Sequence, residues 1–146
     1  MREMIRNIPG SDGWITIKEL NKGWSRDRKY YVQDTEHNEW LLRLSDISQH
    51  ERKQWEFEHM KQLDANKLRI PRPVAFGVCD AGEQVYTLLS WVHGEDIRDV
   101  LPSLNQKDQY QLGIQAGQSL RAMHEIPAPS GLSHGQITMK PKWTST

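Results

Sequence analysis

Gln84-Val85-Tyr86-Thr87-Leu88-Leu89-Ser90-Trp91-Val92-His93-Gly94 decides the fold. Its first seven residues are mostly β-branched, aromatic or aliphatic, and they then break into a polar, glycine-bearing link. A run that apolar at strand length reads as an interior strand feeding a connection. Upstream, Asp80-Ala81-Gly82-Glu83 is a hairpin-type turn, and Val74–Val78 is the strand before it. Pro71 and Pro73 force an extended entry to that strand, because proline lacks an N–H and disfavours helix in the residue before it. Further upstream Ser48 precedes Glu51 at capping-box spacing, and Phe57, Met60, Leu63 and Asp64 recur with helical period until Ala65-Asn66. Three more strands come first: Trp14–Leu20, Lys29–Gln33 and Glu39–Leu44. Their links are short, so they form an antiparallel meander. The expectation is an α+β fold: a five-stranded antiparallel sheet with one helix between its third and fourth strands.

Downstream of the quoted stretch the period changes. Asp96–Leu101 reads as a short helical turn, and Asn105 can cap a helix running to about His124. Tyr110, Ile114, Gly117, Leu120 and His124 share one face of it. Pro127 and Pro129 end the helix, and Gly131–Thr146 shows no period. The chain therefore divides into a sheet-bearing lobe (1–92), a hinge with a helical extension (93–128) and an irregular tail (129–146).

Composition narrows the possible partners. Lys+Arg and Asp+Glu stand at 19 each over 146 residues, with no block of one sign. Nucleic acid or an anionic membrane surface would require a cationic footprint. Mean hydropathy is −0.77, and the longest apolar runs are strand-sized. Met1-Arg2-Glu3-Met4 opens without an apolar leader core, so a cytoplasmic location is the default expectation. The one cysteine, Cys79, has no internal partner and reads as a small apolar strand residue. His93 and Glu95 flank Gly94 with no third ligand near, so no metal site is expected there.

Strand order, Lys22–Val32, Trp40–Leu44 and the strand that runs into Gly94 together resemble the N-terminal lobe of the aminoglycoside phosphotransferase family, which has a protein-kinase-like fold. Leu112–Pro127 is similar to that family's first large-lobe helix, and the likeness covers residues 12–128. The resemblance implies a nucleotide-binding lobe of a small-molecule kinase, using ATP with Mg²⁺ and transferring a phosphoryl group to a hydroxyl.

It also implies roles, each beside a plainer reading. Gly23 and Ser25 lie in the loop between the first two strands, which would fold its N–H groups over the phosphates. An ordinary hairpin turn also uses such residues. Arg43 would reach the α- and β-phosphates with a rigid fork. An alternating strand equally places an arginine toward solvent. Glu56, seven residues before Leu63, would pair with Arg43 and orient it, or belong with Glu51 and Glu58 to a solvated face. Ser90 and Val92 would read adenine through main-chain groups, which leave no side-chain signature.

Phosphoryl transfer also needs a carboxylate at the attacking hydroxyl and further ligands for Mg²⁺. The family supplies them through a His-x-Asp motif, a downstream Asn and a second Asp. No His in these 146 residues is followed two positions later by Asp, and His134-Gly135-Gln136 lacks the acid. Catalytic and metal-binding residues are therefore expected to be absent. The ending looks like that of a shortened or frameshifted reading frame, and no turnover is expected from these residues alone. The uncovered face of the 105–124 helix is expected to fold back on the sheet, self-associate or meet a separate large lobe. A non-catalytic nucleotide-binding or protein-interaction module is the alternative function.

Overall fold

The computed structural model describes residues 1–127; the tail read as irregular (129–146) lies outside them. Strands β1 (Trp14–Leu20), β2 (Arg28–Asp34) and β3 (Glu39–Asp46) form the expected meander. Helix α2 (His50–Ala65) follows, after the short N-terminal helix α1 (Arg2–Ile5). Strands β4 (Pro73–Cys79) and β5 (Gln84–Ser90) complete an open five-stranded sheet of order β1-β2-β3-β5-β4. Every neighbouring pair is antiparallel. β5 lies between β3 and β4, with both edges bonded, and Val85 to Leu89 are all buried. This is the setting its apolar run requires.

Alternation along the strands sorts residues onto two faces. One face carries Tyr30, Val32, Leu42, Leu44, Tyr86 and Leu88, the main core. It is closed by residues 1–13, which lie outside the strands and helices expected from the sequence. Ile5 and Ile8 are each 2% exposed and join that core with Trp14. Gly10 turns this segment at φ 84°, a conformation that costs a Cβ-bearing residue energy. Cys79 is buried in the same core, as its reading as a small apolar residue requires.

The start of α2 differs from the capping-box reading. The side chain of Asp46, not Ser48, accepts a hydrogen bond, from the Ser48 N–H at 2.9 Å, and opens a 3₁₀ turn over Ile47–Gln49 before the helix. β3 runs on to Asp46, which places that carboxylate at the helix entry. At the other end Leu68 N–H reaches the Leu63 carbonyl and Lys67 N–H the Asp64 carbonyl, a Schellman motif. Lys67 holds the left-handed position, at φ 59°, where glycine is favoured.

Beyond the sheet come α3 (Ile97–Val100) and α4 (Gln106–His124). Asn105 caps α4 as expected, accepting from the Asp108 N–H at 2.9 Å. No residue of α3 or α4 is buried, and Tyr110, Ile114 and Leu120 are exposed. α4 therefore does not fold back on the sheet. Among the described residues no helix is long and apolar enough to cross a membrane.

Two substitutions test this description. Ile8→Ala should lower the unfolding free energy by about 2–5 kcal/mol, as for other buried aliphatic truncations. Lys67→Gly should raise it by about 1 kcal/mol. Urea titration followed by tryptophan fluorescence measures both. An Ile8→Ala midpoint equal to the parent's would mean that the N-terminal segment is not part of the core.

Candidate functional site

The face opposite the core is only partly covered. Residues paired across strands share a face, so Lys29, Arg43, Thr87 and Phe76 form one row across β2, β3, β5 and β4. Tyr31, Leu41, Leu89 and Pro73 form the next. α2 packs over the β4 end of these rows, with Phe57 and Phe76 ring centroids 5.6 Å apart and His50 5.4 Å from Phe76. On β2 and β3 the same rows stay half-buried at Lys29, Tyr31, Leu41 and Arg43.

At one end of this open area stands the β1–β2 loop. Gly23 adopts φ 104°, and a Cβ there would lie 2.7 Å from Lys29 Nζ. The Lys29 ammonium donates to the Lys22 carbonyl at 3.0 Å, so the loop backbone folds onto a cation. Among the described residues Lys29 has no carboxylate partner within 4.0 Å. Ser25 is exposed near the tip.

The loop ends at Asp27, whose side chain is 9% exposed. Its carboxylate accepts from the Arg43 guanidinium, from Ser45 Oγ at 2.9 Å and from Lys53 Nζ at 2.8 Å. Lys53, on α2, is 10% exposed and also donates to Glu56 Oε2 at 3.3 Å. Burial pushes the Asp27 carboxyl upward. The Lys53 hydrogen bond, the Arg43 charge and Ser45 outweigh that and hold it below its ordinary value. Arg43 is 27% exposed, and its Nε is buried without a hydrogen-bond partner.

The expected Arg43–Glu56 pair does not form. Glu56 is held by Lys53 and by Arg52 Nε at 3.1 Å, and reaches Arg43 only through Lys53 and Asp27. Asp27 wins because it immediately precedes β2, whose first residues, Arg28 and Lys29, pair with Leu44 and Arg43. Lys53, one turn before Glu56, fills the space between. Three groups were thus not singled out from the sequence. Lys53 had a signal: it stands four residues before Phe57, on the helix face that also carries Phe57 and Met60. Asp27 and Lys29 had none beyond their place at a loop end.

The other end of the open area is the link after β5. Trp91 N–H donates to the Glu39 carbonyl at 3.2 Å. The Glu39 carboxylate accepts from Tyr31 Oη and lies 2.6 Å from His93 Nε2. The Tyr31 bond, then His93, holds Glu39 below its usual range against a smaller opposing effect of burial, and the same bond raises Tyr31. The Tyr31 and Trp91 rings meet edge to face at 4.9 Å. The Ser90 hydroxyl accepts from the Arg72 N–H at 2.8 Å, and the Ser90 N–H donates to the Arg72 carbonyl at 2.9 Å. Val92 is exposed, and its N–H makes no backbone hydrogen bond among the described residues. The face thus has a cationic end under a glycine loop and an aromatic end at Tyr31 and Trp91 beside the exposed Val92, with Leu41 between them.

Residues 16–143 match the phosphotransferase enzyme family. The chain belongs to that family. The match extends past residue 128, where the likeness read from the residues stopped. No curated protein matches the chain. Phosphotransferases of this kind generally work with ATP and Mg²⁺. Among the described residues no group of three or more His, Cys, Asp or Glu side chains could hold a metal ion. Asp27 is already committed to two cations and a hydroxyl, so Mg²⁺ ligands do not fit here.

Asp27→Ala should cost about 3 kcal/mol, since it leaves Lys53 and Arg43 without their shared anion. The figure is at the low end for a buried pair because Arg43 keeps some contact with water. Asp27's contribution is fully present above its unfolded value, near 3.8, and is lost as pH falls through the lower folded value. Melting the parent and Asp27→Ala between pH 7 and pH 2.5 should therefore show their gap closing only in the most acidic samples. A gap constant to pH 2.5 would contradict this.

Proposed function

We propose that the open sheet face holds a nucleoside triphosphate as phosphoryl donor, with adenine against Tyr31 and Leu41 and the phosphates beneath the Gly23 loop. The observation that carries this reading is that Arg43 and Lys29 stand side by side on the open face at the foot of that loop. Two cations and loop N–H groups form the donor set that phosphate oxygens take. Gly23 allows the close approach, and Ser25 adds a hydroxyl at the tip. In this reading the Ser90 carbonyl and the Val92 N–H meet one edge of the base. Glu56 acts one step back, holding Lys53 rather than Arg43.

In this reading the residues bind and orient the donor, so that its terminal phosphate faces an acceptor hydroxyl. They do not transfer it, because the carboxylate that positions the hydroxyl and the ligands for Mg²⁺ are not among them. The exposed Tyr110, Ile114 and Leu120 of α4 favour a second reading alongside the first: α4 is an interaction face, for another lobe or another copy. The location proposed for this work is the cytoplasm, where ATP is available.

Titrating the protein with ATP by calorimetry, with and without Mg²⁺, tests the proposal. Saturable binding is expected, and Arg43→Ala should weaken it about 10- to 100-fold, the range for losing a charge-assisted hydrogen-bonding group. In an ATP-consumption assay with hydroxylated antibiotics and sugars the chain should show no turnover. No binding by a folded parent, or equal binding by Arg43→Ala, rules the clamp out.

A further inference from the structure

We infer that Asp27 is a resident anion in the phosphate site: its carboxylate occupies the Arg43–Lys53 cation pair until a polyphosphate displaces it. The inference rests on the donor-binding reading above and adds Lys53 to the groups that a phosphate would meet.

The donor set around Asp27 is the first argument. Both cations converge on one oxygen, Oδ2, and the Ser45 hydroxyl takes Oδ1. Two cations closing on one oxygen is an arrangement that a phosphate oxygen can take over, while the Ser45 hydroxyl on the other oxygen seats the carboxylate. The mode of the arginine contact is the second. A permanent arginine–carboxylate pair gains most from two parallel N–H···O bonds. Here Arg43 contributes only its Nη2 group, and its Nε has no partner. The carboxylate uses part of the fork and leaves the rest for a larger anion.

Charge supplies the third. Arg43 and Lys53 are balanced by Asp27 and Glu56, which leaves Lys29 as the cation of the site without a carboxylate partner among the described residues. A triphosphate brought against Arg43 would meet the Asp27 carboxylate at close range, where like charges repel strongly in a half-dry site. Asp27 is also the last residue of the loop rather than part of a strand, and residues 21–26 before it are all exposed. The carboxylate can leave when the loop shifts, without unpairing the sheet.

Binding is then an exchange of anions, and the apparent affinity falls by the fraction of molecules in which Asp27 still holds the site. A polyanion recovers that loss through several contacts, whereas a single phosphate competes with a carboxylate on nearly equal terms. The site should therefore take nucleoside triphosphates and discriminate against monophosphates.

Calorimetric titration with ATP and with AMP, on the parent, Asp27→Asn and Ser45→Ala, tests this. Each variant is first shown to be folded by its melting curve. Asp27→Asn removes the competing charge and keeps its shape; it should bind ATP about tenfold more tightly and narrow the ATP-to-AMP ratio. Ser45→Ala only loosens the seat of Asp27 and should tighten ATP binding about threefold. It decides the matter alone if Asp27→Asn does not fold. ATP binding unchanged or weakened in the folded variants would overturn the inference and make Asp27 a fixed anchor, while leaving the donor-binding reading intact. Absence of ATP binding by the parent and both variants would remove that reading and this one together.

Discussion

The contact between Asp27 and Lys53 sets the relation of the other parts. α2 buries only two side chains, Lys53 and Phe57. One is aromatic and packs on Phe76; the other is a charge that water would hold far better than protein. A lysine in that position is tolerated only with an anion in hand, and the β1–β2 loop supplies it. Helix, loop and β3 are thereby fastened at one point. A helix seated by an extended greasy stripe would be indifferent to the loop, whereas this one is tied to it by a single ionic contact.

β3 shows how a single strand serves two environments. Leu42 and Leu44 enter the core, while Leu41, Arg43 and Ser45 face the other way. The side-chain period of two makes the arrangement intolerant of slippage. A shift of one position against β2 or β5 would drive Arg43 into the core and expose two leucines. The core and the polar site thus specify the same register, and the N-terminal segment closes the core without blocking the site.

What could be read from the sequence follows from the same physics. The bounds of β1 and β5 and the start of α4 were legible because short-range signals fix them: alternation, flanking turns and the Asn105 cap. Arg43 could be placed on the face opposite its leucine neighbours for the same reason. Its partner could not, because Asp27 is sixteen positions away and becomes a neighbour only once β2 pairs with β3. Glu56 was the candidate by spacing along the helix, yet Lys53 intervenes, a choice made in three dimensions. Residues 1–13 carry Met1, Met4, Ile5 and Ile8 at helical spacing, but eight residues are too few to stand as a helix alone, and only Arg2–Ile5 are helical. Asp46 displaced Ser48 as the capping residue once β3 ran two residues further than its apolar pattern.

The sheet's margins are both irregular. β1 slips register between Trp14 and Thr16, and β4 between Pro73 and Ala75, where proline also withholds an N–H. Both strands carry outward aliphatics, Ile15 on one and Val74 and Val78 on the other. A straight, fully bonded rim bearing those side chains would be a template for stacking one sheet on the next. The broken rims deny such growth a continuous ladder, which lets an open sheet stand without a covering at either edge.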